Sequence, residues 1–334
     1  MDDILESILN YLQVESHESV LLIGDETSHE LIDGLYTRLD SNVRKYDLRG
    51  FDRPLQEIPA DLGDLAVQCD LCFYALDKKS DETHDELSFR KGLAGLVEDN
   101  GGRVGNMLSV TPEILQSAFS ADASKLRDMT ESICDYMRSV SAVHVTSPGG
   151  TDVTFEFGDY NWIASTGFIK RKTARNIMPA EVYTHPASVN GDIVIDGSYA
   201  LLISDVRFTN PVECTKNNPL YWKVRDGIVV DVLCKNKQVE NAVVETMDQY
   251  ENARRIGEYG MGTNIGIKRM LGHVGHDEKF PTVHVANGRG YPKETGAVYD
   301  CNIHHDGLVL DARVQNLDDG MIILDKGMYA GKFL

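Results

Sequence analysis

The sequence predicts an α/β N-terminal domain with a mostly parallel sheet over residues 1–140, followed by an α+β C-terminal metal-binding domain over 141–334. Three observations lead there. Compact apolar segments alternate with helical ones as far as residue 140, the pattern of an open sheet with covering helices. Beyond it, short strands follow one another between turn residues. The charge changes at the same place: the first 140 residues hold 28 acids and 13 bases, whereas the rest hold 24 and 20.

In order, residues 19–23 (SVLLI) and 69–76 read as buried strands. Residues 28–39, with Ser28 as N-cap, and residues 83–98, 111–119 and 121–140 read as helices, with Gly101-Gly102 breaking the chain. Gly24-Asp25-Glu26-Thr27 places two acids where a pyrophosphate would sit, which argues against a nucleotide there. In the second region, residues 143–145, 151–157, 193–195, 200–203, 227–233, 282–286 and 303–309 read as strands and 239–255 as one helix. Glu258 then ends that helix and enters a glycine-rich turn.

The formal charge of −19 disfavours nucleic acid and anionic membrane surfaces as partners. No apolar run is long enough to span a bilayer. The acidic start, Met1-Asp2-Asp3, lacks the basic and apolar parts of a signal peptide, so a cytoplasmic setting is expected. The six cysteines (69, 72, 134, 214, 234, 301) are too sparse for a disulfide scaffold, and Cys69-x-x-Cys72 reads as buried strand thiols.

The chemistry concentrates near the C-terminus. Five of the ten histidines (His273, His276, His284, His304, His305) fall within 33 positions that also contain carboxylates. Imidazole and carboxylate together suit transition-metal sites. In Ile303-His304-His305-Asp306, residues two apart share a strand face, so His304 and Asp306 project together while His305 points away. The alternative is a solvent-facing pair at a strand end. His284 lies mid-strand, where a satisfied core histidine is the ordinary reading, and Glu181 is the central carboxylate of a proline-bracketed segment.

Five segments in order resemble the M29 metallo-aminopeptidases, the aminopeptidase T and aminopeptidase S group: 147–154 (SPGGTDVT), 176–186 (NIMPAEVYTHP), 256–264 (IGEYGMGTN), 282–292 (TVHVANGRGYP) and 301–309 (CNIHHDGLV). The resemblance implies that Glu181, Glu258, His284, His304 and Asp306 bind two divalent ions, zinc, cobalt or manganese, with Tyr291 catalytic. It further implies a homodimer that removes N-terminal residues from short peptides through a metal-activated water. His273 and His276 match none of these ligands and read as surface residues, with a supporting place behind the ligands as the alternative. The chain is shorter than such peptidases, and some shorter relatives look like ring-cleaving dioxygenases of dihydroxypyridines. In that alternative His284, His304 and Asp306 hold a single Fe(II).

Overall fold

The computed structural model describes residues 2–39, 42–77, 84–201 and 217–334, and for 84–88 the backbone alone. Cys214, Thr83 and the end of the strand predicted over 200–203 lie outside the described residues. Two compact units result: Met1–Ala123 with Gly167–Pro179, and Ser124–Thr166 with Ala180–Leu334.

The first unit carries a five-stranded parallel sheet in the order Val43–Asp47, Val20–Gly24, Leu71–Leu76, Arg103–Leu108, Ala174–Asn176. Its central strands, VLLIG and LCFYAL, are buried at every position, as a parallel sheet covered on both faces requires. Helices His29–Tyr36, Ala60–Ala66, His84–Asp99 and Pro112–Ala118 alternate with the strands. Thr111 caps the last of them by accepting from Ile114 N, with Pro112 in the first turn. Ser28 precedes its helix without capping it: its hydroxyl oxygen accepts from Asp25 N at 3.0 Å and its proton is donated to Ala75 O. Gly101-Gly102 does break the chain, but it leads straight into the strand Arg103–Leu108. Arg103 is buried there. Its guanidinium donates to Leu12 O and Gln13 O at the C-terminal end of the first helix, Asp2–Leu12, and pairs with Glu18 at 2.7 Å. Cys69 and Cys72 are buried thiols.

Among the described residues, the second unit contains two antiparallel sheets. One has eight strands, from Ile228–Leu233 at one edge to Met328–Tyr329 at the other. The other has five, in the order His304–Val309, Val283–Gly288, Ile256–Gly262, Glu181–Thr184, Ile163–Ser165. One face of this five-stranded sheet presents Val182, Tyr259, Met261, Val283, Val285 and Val309 to the apolar core. There Tyr259 packs against Phe155 with ring centroids 4.7 Å apart. Because side chains alternate, the other face receives Glu181, Glu258, His284, His304 and Asp306.

The expectation for Glu258 is thereby corrected. The helix Lys237–Gln249, capped by Asn236, ends well before it, and Tyr250 is extended. Glu258 lies inside the strand Ile256–Gly262, all of which is buried. Its glycines occupy positions where a neighbour comes too close for a side chain, rather than making a turn. Among the described residues, no helix is long and apolar enough to cross a membrane.

Candidate metal centre

Strand register brings the candidate ligands together. Ala286 sits between its Cα partners Glu258 on one side and Asp306 on the other, so a methyl group separates two inward carboxylates. In the next row His284 opposes Gly260. A Cβ on Gly260 would lie 2.0 Å from His284 Nε2, so the missing side chain is the space that the imidazole fills. Gly262, opposite Glu181, leaves room in the same way for the backbone of residues 278–280: a Cβ there would lie 2.1 Å from Phe280 O. Two glycines on one strand thus open the face, one to an imidazole and one to a crossing loop.

Glu258 is the hub. Its Oε1 lies 3.2 Å from His284 Nε2 and its Oε2 3.7 Å from His304 Nε2. His284 Nε2 is also 3.5 Å from Glu181 Oε2, and His304 Nε2 is 3.2 Å from Asp306 Oδ1. His284 is fully buried, while Glu181, Glu258 and Asp306 are buried to within 7% of full exclusion. His304 Nδ1 donates to Arg289 O at 2.9 Å, which fixes the ring and turns Nε2 into the cluster.

Among the described residues, two sets of candidate ligand atoms converge within 4.8 Å, Glu181 with Glu258 and His284, and Glu258 with His304 and Asp306. Asp306 Oδ1 is buried and accepts no hydrogen bond, although His304 is close. A buried carboxylate oxygen without a donor is costly unless a cation satisfies it. The donor set of imidazoles and carboxylates therefore fits a divalent transition metal. Electrostatics agree. Burial works to lower the histidines, yet the adjoining carboxylates push His284 up to about 9 and His304 up to about 10. Burial would raise Asp306, but His304 holds it well below the usual carboxylate range.

Tyr291 joins the same site. Its ring centroid lies 4.7 Å from that of His304 and 6.0 Å from that of Tyr183. Its backbone is left-handed (φ 53°, ψ 64°), a conformation costing about 1–3 kcal/mol in a residue other than glycine. The turn is held by Thr295, whose hydroxyl donates to Gly290 O and whose amide donates to Tyr291 O. Burial, then the charges of Glu258 and Asp306, push the phenol upward, so it stays protonated and can donate.

One of the remaining histidines behaves differently from expectation. His276 is wholly buried, not on the surface, and its Nδ1 donates to Asp277 Oδ1 at 2.8 Å. Asp277 also accepts from Ser198 Oγ, Leu271 N and Gly272 N, so the pair pins the loop before the His284 strand. His273 caps the short helix Val274–Asp277 by accepting from His276 N. His305 does point away, packing edge-on against Tyr199.

Lys279 and Glu278 were missed by sequence reasoning. Lys279 is buried, with Nζ 2.5 Å from Glu181 Oε1 and 2.7 Å from Glu278 Oε1. Burial raises Glu278 to about 7, an effect that Lys279 opposes. Nothing in the spacing of Asp277-Glu278-Lys279 marks it, because only the fold carries this segment across Gly262 to Glu181.

The family described as "NicX: 2,5-dihydroxypyridine 5,6-dioxygenase" has a model that matches residues 92–265, just over half of the chain. The matched span includes Glu181 and Glu258 and stops before His284, Tyr291, His304 and Asp306. No curated protein matches the sequence. The fold is similar to that of a 2,5-dihydroxypyridine dioxygenase from Pseudomonas putida KT2440, with a TM-score of 0.69, 14% identity, and coverage of 98% of this chain and 96% of that one. It is similar to wild-type AmpT from Thermus thermophilus at almost the same level, with a TM-score of 0.67, 14% identity, and coverage of 98% and 99%.

Proposed function

The chain belongs to the family described as NicX, 2,5-dihydroxypyridine 5,6-dioxygenase, and from that membership we propose that it is an Fe(II)-dependent dioxygenase opening the ring of a dihydroxypyridine-like substrate. The observation that carries the reading is the gathering of two imidazoles and Asp306 around Glu258 on one buried sheet face. His284, His304 and Asp306 would hold the iron as two histidines and one carboxylate. When bound, the iron supplies the positions at which an aromatic diol and dioxygen meet.

The chain's own residues do the rest. Arg289 O keeps His304 in the tautomer whose Nε2 faces inward. Glu258 lies between the two rings and offers an acceptor for a substrate hydroxyl proton. Tyr291, protonated and set against His304, donates to an oxygen that gains negative charge as the ring opens. The apolar underside of the sheet excludes water from below.

A second reading rests on one observation, the two sets of ligand atoms sharing Glu258. Two zinc, cobalt or manganese ions held there would serve hydrolysis of short peptides from a free N-terminus, with Tyr291 donating to the tetrahedral oxyanion. One pair of assays separates the readings. Protein loaded with Fe(II) should consume one O₂ per 2,5-dihydroxypyridine, with loss of the ring's ultraviolet absorption. If release of N-terminal residues by Co(II)-loaded protein without oxygen is the activity found instead, the dioxygenase reading falls.

A further inference from the structure

The ligand face contains a cation of its own. Lys279 enters from the loop that crosses Gly262, where a Cβ would lie 2.5 Å from the Lys279 carbonyl carbon and 2.6 Å from Glu278 O. The backbone is fixed there by Asn264 N donating to Lys279 O at 3.0 Å. The ammonium is excluded from solvent and divided between Glu181 Oε1 and Glu278 Oε1. Glu181's other oxygen faces His284 at 3.5 Å. Of the two ligand sets among the described residues, only the one containing Glu181 includes a carboxylate paired with a lysine, a cation that is not itself one of the ligand atoms.

We infer that the Lys279 ammonium takes the role of a second metal ion, pairing with Glu181 so that the centre binds one divalent ion, at His284, His304 and Asp306 beside Glu258. A dication on Glu181 would sit beside a buried ammonium, and their repulsion in a water-poor site opposes double loading. Glu278, the lysine's second partner, holds the ammonium in place. Lys279 is thus a positioning residue that sets metal number without touching the ion.

The inference rests on the one-ion reading above. Its test uses neither oxygen nor an organic substrate, so a failed dioxygenase assay leaves it standing. Purified chain is titrated with Co(II) alone, and bound metal is counted by elemental analysis after desalting. Wild type should retain one Co(II) per chain, Lys279→Met two, and Lys279→Arg one. Two ions in wild type, or one ion in folded Lys279→Met, overturns the inference. Should Lys279→Met not fold, Glu181→Gln decides. One ion retained, with affinity changed less than about threefold, supports the inference, and loss of one ion equivalent overturns it.

Discussion

At the scale of single residues, the centre depends as much on absent side chains as on ligands. Gly260→Ala places a methyl where His284 Nε2 lies, 2.0 Å from the new carbon, and the imidazole must leave the face. The expected result is loss of metal affinity by tenfold or more, with destabilisation of about 1–3 kcal/mol; unchanged metal binding in calorimetry would show that His284 is not a ligand. Tyr291 makes a different demand, since its role lies in donation and not in holding the ion. Tyr291→Phe should lower kcat by about 10²-fold or more, the size expected for one positioned donor, with metal affinity within threefold of wild type. Equal losses in turnover and affinity would make the ring a packing element beside His304.

At the scale of elements, the first unit owes part of its stability to one buried pair. Arg103 binds the chain end of the first helix through Leu12 O and Gln13 O, and it bonds Glu18. Arg103→Met should cost up to about 3–5 kcal/mol in chemical unfolding, because buried Glu18 loses its closest charge partner and keeps only Arg171 at 3.5 Å and the Glu15 amide. Burial works to raise Glu18, but the bonds from Arg103 and the Glu15 amide win and hold it below its usual value. Its stabilising contribution is therefore complete above the ordinary carboxylate range, about pH 4, and is lost as pH falls through the lowered value. The substitution should flatten that acid limb, and an undiminished limb would place the acid sensitivity elsewhere.

The legibility of elements followed the same physics. SVLLI and LCFYAL were readable because a doubly covered parallel strand is apolar throughout. Parity along HHD placed His304 and Asp306 together and His305 apart, as observed. Ile256–Gly262 was unreadable as a strand: its three glycines imitate a turn, and its full burial removes the alternation that marks a half-exposed strand. Arg103–Leu108 was hidden by the preceding glycine pair and by an arginine whose burial depends on residues far away in sequence. Lys279 could not be found from spacing, because only the fold brings it to Glu181.

At the scale of the whole molecule, the acid excess and the ligand set belong to different parts of the chain. Residues 1–140 hold 28 acids and 13 bases, while all the candidate ligands lie beyond residue 180. The formal charge of −19 is therefore no signature of the metal site. The same fold is shared by a dioxygenase and an aminopeptidase, so architecture does not select the reaction, and the chemistry must be read from the ligand face. The most direct test of the account is anomalous diffraction at the iron edge from Fe(II)-loaded crystals grown without oxygen. A single peak bounded by His284, His304, Asp306 and Glu258, with Lys279 still against Glu181, is the predicted result. A peak elsewhere, no peak, or a second peak ligated by Glu181 would contradict it.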